Sequence, residues 1–304
     1  MKPHISIIIC TYNRVKYIGD CLSSLVNQTL SKELYEIVIV NNNSTDNTAE
    51  ICESFIENYK EHNVTYVIER KQGLSYARNR GLKEAKGNIV IFIDDDGEAN
   101  NDYLEKVYFY FSTEDDLVSA GGKVLPKYEG GAEPKWMSKY LWGLVTKIDY
   151  GNKVEPFPRG RYPVGCNMVF LKSVFDEIGM FDTALGRKGR VGLASEEKEI
   201  FLKLSALGKK ILYIPDAVVM HNIDKERTTK KYIKKLSIGI GKSERVRTMK
   251  KGIISLIKKF IEFLIKFIGS ILLALAEIVK GEKEKGYYLI LFRFYVLKGF
   301  FSKI

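Results

Sequence analysis

Three adjacent carboxylates, Asp94-Asp95-Asp96, follow directly on the apolar run Ile89–Ile93. Like charges this close repel one another unless a cation sits among them. If the run is a strand, alternation puts Asp94 and Asp96 on one side and Asp95 on the other. That spacing suits a division of labour, one carboxylate binding a hydroxyl and the other a hard divalent ion. A solvated acidic turn explains the same residues, because charge clusters are often simply hydrated. A second acidic group, Glu196-Glu197 with Glu199, opens a segment of helical spacing behind Ser195. On its own it is what the first turn of any helix favours. His221 is one of three histidines in the chain and follows an apolar run and a Pro-Asp turn. A lone histidine there is either structural or a ligand.

These groups need a scaffold, and the first hundred residues supply one. Short β-branched runs at Ile5–Cys10, Glu36–Val40, Val64–Ile68 and Ile89–Ile93 alternate with helical spacing over Tyr17–Val26, Thr48–Tyr59 and Leu74–Ala85. Strand–helix repetition with continuously apolar strands predicts a mostly parallel, Rossmann-like α/β sheet covered on both faces. Ligands in such sheets bind beyond the carboxyl ends of the strands. The segments there are polar: Thr11-Tyr12-Asn13-Arg14, Asn41 to Thr48, and the acid triplet. Residues 122–165 carry Gly130-Gly131, five prolines and two tryptophans, and read as a loop-rich wall beside the sheet. Order returns with a strand at Asn167–Leu171, helices at Lys172–Ile178 and about Glu196–Leu207, and a strand at Lys210–Ile214.

The stretches SIIICTYNR, VIVNNNSTDNT, GLSYARNRGLKEAKGNIVIFIDDD, PVGCNMVFLKSVFDEIGMFDTALGR, LASEEKEIFLKL and YIPDAVVMHNI, in that order, resemble glycosyltransferase family 2 of the GT-A fold. The likeness runs from residue 4 to about 223. It implies an inverting sugar transfer from a nucleotide-diphosphate donor to an acceptor hydroxyl, assisted by Mn²⁺ or Mg²⁺. By the same resemblance, Thr11, Tyr12, Asn13, Asn42 and Asp46 would line the nucleotide pocket, and Arg78 would reach the diphosphate. Asp96 would ligate the metal with His221, Asp94 would contact ribose or metal, and Asp95 would belong to the same donor site. Glu197 would be the general base, with Glu196 beside it. The family usually has two aspartates where this chain has Asn41 and Asn42, so the amide there accepts a base proton without charge. The lysine- and arginine-rich loop 187–190 is expected to close over the donor.

The net charge of +11 is unevenly placed. Residues 1–224 hold 28 basic and 31 acidic residues, a net of −3, whereas 225–304 hold 20 and 6, a net of +14. The expected organisation is a catalytic domain over 1–224, with a nucleotide-binding half (1–121) and an acceptor-side half (122–224), followed by a basic helical extension over 225–304. Between Lys251 and Lys280 the polar residues recur every three or four positions, a single stripe on an otherwise apolar helix. Its longest uncharged run, Phe267–Ala276, is ten residues, about half of what a membrane span requires. The extension, with a second helix over Tyr287–Phe301, is therefore expected to lie on a membrane surface, its lysines meeting anionic headgroups. A lipid-linked or polysaccharide acceptor fits that placement. The alternative is pairing into a homodimer or packing on the catalytic domain.

Four cysteines without a Cys-x-x-Cys pair read as buried thiols in a reducing compartment. The six-residue apolar run after Pro3 is too short for a signal-peptide core, so the expected location is the cytoplasmic face of the membrane. Gly239 to Ser243 ends like a phosphate-binding loop, but Leu236 stands where its first glycine belongs. Nucleic-acid binding is disfavoured, since the tail's aromatics share the apolar face and form no stacking platform. A metal-dependent nucleotidyltransferase and a sugar-nucleotide-binding scaffold without activity are the remaining competitors.

Overall fold

The computed structural model describes residues 3–158, 160–186 and 196–302. Described residues within 1–126, 146–183 and 196–222 form one compact unit, and those within 127–145, 184–195 and 223–304 form a second.

In the first unit the chain runs β1 (Ile5–Thr11), α1 (Ile18–Val26), β2 (Tyr35–Asn41), α2 (Thr48–Asn58), β3 (Val64–Ile68), α3 (Leu74–Glu84) and β4 (Ile89–Asp94). These are the strands and helices that the periodicity predicts, shifted by a residue or two at the ends. There follow β5 (Gly97–Ala99), α4 (Tyr103–Thr113), β6 (Leu117–Tyr128), β7 (Glu155–Pro156), β8 (Met168–Leu171), α5 (Val174–Ile178), α6 (Glu196–Ala206) and β9 (Lys210–Ile223). The sheet order is β3-β2-β1-β4-β8-β6-β9-β5, with β7 on β9. β3, β2, β1 and β4 are mutually parallel. Beyond β4 the sheet turns antiparallel, with β8 against β4, β6 against β8, and both β5 and β7 against β9.

The parallel strands are apolar throughout because both faces are buried. Ile5, Ile7 and Ile9 face α1, α2 and α4, where Leu22, Phe55 and Tyr103 pack. Ile8, Val38 and Phe92 face α3, α5 and α6, meeting Leu82, Phe175 and Phe201. Each fully buried isoleucine of this kind stabilises by roughly 1.5–3 kcal/mol. The exceptions to the apolar rule carry partners. Ser6 donates to Glu36 at 2.6 Å and accepts from the Gly87 amide at 2.8 Å, while Glu36 also accepts from the Lys86 amide at 2.6 Å. This network stitches the start of β4 to β1 and β2, leaving no polar group of Ser6 stranded in the core. Three cysteines are buried and Cys10 is partly exposed, all with free thiols.

The expected loop region 122–165 is only partly loop. β6 runs on to Tyr128, and a 3₁₀ helix spans Lys139–Val145. Gly122 lets β6 approach its neighbour: a Cβ there would stand 1.8 Å from the Ala217 carbonyl oxygen.

The second unit is built on α7 (Lys230–Met249), α8 (Ile253–Val279) and α9 (Lys283–Phe301). The two expected tail helices are present, and the basic stretch before them adds a third. Glycines set how closely these helices pack. A Cβ on Gly241 would lie 2.1 Å from the Val296 carbonyl oxygen, and one on Gly299 would lie 2.2 Å from that of Ile238, so α7 and α9 touch backbone to backbone. Trp136 stacks on Tyr288 at 4.7 Å, joining the 3₁₀ segment to the same bundle. Gly241→Leu should therefore destabilise the protein by about 1–3 kcal/mol through overpacking. Gly269→Leu, where a Cβ meets nothing within 4 Å, should leave the thermal midpoint in place. Equal unfolding curves for the two variants would contradict this packing.

Candidate active site

The ends of β1, β2 and β4 lie side by side: Thr11 pairs with Asn41, and Cys10 with Asp94. Register alone therefore brings the loops after β1 and β2 to the acid triplet. These two loops are laced together. Asn13 takes a left-handed φ of 54°, its side-chain carbonyl accepts from the Thr45 amide at 2.8 Å, and its own amide donates to the Ser44 hydroxyl at 3.1 Å. Asp46 accepts from the amide and hydroxyl of Thr48, beginning α2. Tyr12 stays on the rim, 39% exposed.

Asn42 sits among the expected nucleotide residues but is buried and engaged elsewhere. Its Nδ2 donates to the carbonyls of Glu69 and Lys71, both at 2.9 Å, and its Oδ1 accepts from the Gly73 amide at 2.8 Å. Two carbonyl acceptors and one amide donor fix the amide's orientation, and an aspartate could not make the two donations. Asn41 likewise donates to the Tyr66 hydroxyl and accepts from the Ser44 amide. Asn42 thus holds the loop leading into α3, while Asn41 ties the end of β2 to β3 and to its own following loop.

α3 carries Arg78, which is 2% exposed. Its guanidinium reaches Glu197 at 2.9 Å, Glu196 at 3.1 Å and Asp94 at 3.5 Å. One face of it lies 5.5 Å from the Phe181 ring centroid. Asn79 fixes Phe181 by exchanging hydrogen bonds with its backbone at 2.9 and 3.0 Å. Burial works against the Arg78 charge, yet Glu197, Glu196 and Asp94 hold its proton more tightly than usual. Gly165 leaves the room this requires. A Cβ there would lie 2.2 Å from both Arg78 Nη2 and Glu197 Oε1. Glu196 is buried, whereas the Glu197 side chain keeps 25% of its surface open. Of the two, only Glu197 is open to solvent.

The strand ends at Asp94 and a turn follows, so strand alternation does not extend through the triplet. Asp94 looks to Arg78, while the neighbours Asp95 and Asp96 share Arg14, at 3.2 and 3.3 Å. Asp96 also meets His221 Nε2 at 3.2 Å. That contact follows from the pairing of β5 with β9, which sets Gly97 opposite His221, and from the Asn222 amide donating to the Asp96 carbonyl at 2.8 Å. Burial first, opposed by Arg14, pushes the Asp95 carboxyl up to about 7. Asp94 is raised too, by burial, against the pull of Arg78.

Among the described residues no three His, Cys, Asp or Glu side chains are gathered as a metal centre. The donor set still fits a divalent cation. A carboxylate oxygen and an imidazole nitrogen converge at Asp96 and His221, and the Arg14 guanidinium already stands as a positive charge on the same acids. Asp94, expected to share the metal, is turned towards Arg78. Arg14 and Gly165 are the residues that sequence reasoning passed over. Arg14 ends a motif already singled out, and the like charges of the triplet signal the need for a cation beside them. The Gly165 requirement depends on two side chains distant in sequence. The loop 187–190 and the Ser195 cap lie outside the described residues.

Residues 6–179 match the family model described as Glycosyl transferase family 2. The glucosyl-dolichyl phosphate glucuronosyltransferase of Haloferax volcanii is 27% identical over 247 residues, spanning 80% of this chain and 76% of that protein. The dolichyl N-acetyl-alpha-D-glucosaminyl phosphate 3-beta-D-2,3-diacetamido-2,3-dideoxy-beta-D-glucuronosyltransferase of Methanococcus voltae is 25% identical over 256 residues, spanning 80% and 74%. The mannosyltransferase PcManGT from Pyrobaculum calidifontis, solved in complex with GDP-Man and Mn²⁺, covers 98% of this chain and 86% of its own at a TM-score of 0.62 and 17% identity, a likeness of fold. The chain is a glycosyltransferase of the GT-A fold and belongs to glycosyl transferase family 2.

Proposed function

We propose that the protein transfers a sugar from a nucleotide-diphosphate donor to a hydroxyl of a lipid-linked or polysaccharide acceptor, with inversion and with a bound Mn²⁺ or Mg²⁺. The observation that carries this reading is the Arg78 fork. It holds Glu197 and Asp94 on one guanidinium at the carboxyl end of the parallel strands. A base and a donor-side acid are thereby fixed within one ionic cluster, which suits a single displacement at an anomeric carbon. The acceptor oxygen bonds to that carbon as its proton passes to Glu197, and the carbon–oxygen bond to the diphosphate breaks with the electron pair leaving on the nucleoside diphosphate. Glu196 stays buried and orients Arg78. Asp96 and His221 would hold the cation, and a divalent ion bound there supplies charge neutralisation for the departing diphosphate. Thr11, Tyr12, Asn13 and Asp46 form the side assigned to the nucleotide. Asn42 serves that side indirectly, by fixing loop 69–73.

The two relatives named for dolichyl phosphate substrates support a lipid-linked acceptor. Such an acceptor would place the enzyme on the cytoplasmic face of a membrane, reached through 225–304. None of the described helices is long and apolar enough to cross a membrane, which favours attachment along its surface.

With Mn²⁺ and a panel of UDP-, GDP- and dTDP-sugars, wild type is expected to release nucleoside diphosphate from at least one donor. Glu197→Gln should lower turnover on that donor by about 10²–10⁴-fold while leaving donor affinity within a few-fold. Full activity in Glu197→Gln would remove the base from this residue. A further variant tests the metal side. Arg14→Gln takes a positive charge off Asp95 and Asp96 and should tighten Mn²⁺ binding without nucleotide by about tenfold, read from the free-Mn²⁺ electron spin resonance signal. Weaker binding would mean that Arg14 shapes the acids without competing for them.

A further inference from the structure

Helix α8 buries Lys259 and Ser270 together with Phe263 and Ala274, yet it turns a broad apolar stripe outward, where a helix of a soluble bundle is polar. Lys259, nearly buried, pairs with Glu244 of α7 at 3.1 Å and with Glu262 at 2.7 Å. Glu244 in turn binds Arg247 at 2.8 Å. Further along, the Ser270 hydroxyl accepts from Arg293 of α9 at 3.1 Å. These contacts commit one side of α8 to the bundle. On the other side Ile254, Ile257, Ile261, Ile265, Ile268 and Leu272 are each between 49% and 69% exposed. A stripe of that size left in water is costly and marks a contact surface.

The occupant is read from charge, length and continuity. Residues 225–304 carry a net +14, and exposed Lys258 and Lys266 lie along α8, with Lys251 and Lys280 just beyond its ends. A second copy of this chain would bring another +14 against the first, whereas an anionic surface complements it. The 27 residues of α8 extend for about 40 Å, and none of the described helices qualifies as a span, so the helix suits lying flat. The apolar surface also continues onto α9. Phe301 meets Phe260 of α8 edge to face at 5.2 Å, and Tyr287, Phe294 and Phe301, seven residues apart, are 49%, 51% and 61% exposed. Aromatic rings of this kind favour the headgroup boundary.

We infer that the outward face of α8, with the aromatic stripe of α9, is the surface on which the enzyme lies against an anionic bilayer, with Lys259 held on the inner side by its ion pair with Glu244. The inference extends the membrane placement proposed above and rests on it for its purpose. Its test reads binding alone, so sugar transfer stands or falls separately.

The full chain is floated with vesicles of phosphatidylcholine containing 30% phosphatidylglycerol, and with pure phosphatidylcholine, at low and high salt. Wild type should float with the anionic vesicles at low salt, at least tenfold less with the neutral ones, and less as salt rises. Ile257→Glu combined with Ile268→Glu should abolish flotation while far-UV circular dichroism and nucleotide release from the donor are retained. Wild type that fails to float, or a double variant that floats as wild type does, overturns the inference. So does a wild-type dimer that the double variant converts to monomer without any vesicle binding, since the face then belongs to a second copy.

Discussion

A positive charge buried in the middle of a protein must be matched, and the catalytic unit is organised around one such match. Arg78 reaches Glu196, Glu197 and Asp94 from a position 2% exposed. Removing one partner of a buried ionic group costs about 3–5 kcal/mol, because the other is left uncompensated. The arrangement is therefore close to all-or-none: α3 supplies the cation, α6 and β4 supply the acids, Gly165 leaves the space, and Phe181 covers a face. Such a cluster fixes Glu197, the base proposed for the acceptor proton, before any substrate arrives, which is what preorganisation requires.

Two arginines then divide the acid triplet. Arg78 takes Asp94, while Arg14 takes Asp95 and Asp96. The division turns neighbouring residues to different partners, with Asp94 on the Arg78–Glu197 side and Asp96 facing His221. Without Arg14, three adjacent carboxylates at a buried strand end would repel one another, and burial alone would push their protons on. Asp95, raised to about 7 even with Arg14 beside it, shows how strong that pressure is.

The parallel half of the sheet was legible because strands buried on both faces must be apolar at every position, as Ile5 to Ile9 and Ile89 to Ile93 are. The ends of those strands pointed to Thr11, Asn13 and the acid triplet, whereas Arg78, Glu197 and His221 were expected from the family resemblance. Their contacts were not legible. Asn42 reads as a base-binding amide until loop 69–73 folds over it, and the loop's carbonyls carry no sequence signal. β6 was hidden by Gly121, Gly122 and Pro126, and α7 by Gly239 and Gly241, since glycine weakens both patterns. At Gly122 and Gly241 it is there to let backbones touch. The tail shows the same limit in another form. Periodicity gives α8 one polar stripe but not its direction, and Lys259 and Ser270 face inward because α7 and α9 bring Glu244 and Arg293 to meet them.

Arg78 is proposed to hold the base and the donor-side acid, in place of reaching out to the diphosphate. Arg78→Lys keeps the charge and loses the fork, so comparing nucleoside-diphosphate affinity by calorimetry with turnover at saturating donor separates the two roles. Affinity is expected within about threefold of wild type, and turnover lower by about a hundredfold or more. Affinity falling by more than about tenfold with turnover at saturation unchanged would put Arg78 on the diphosphate and contradict the proposed role.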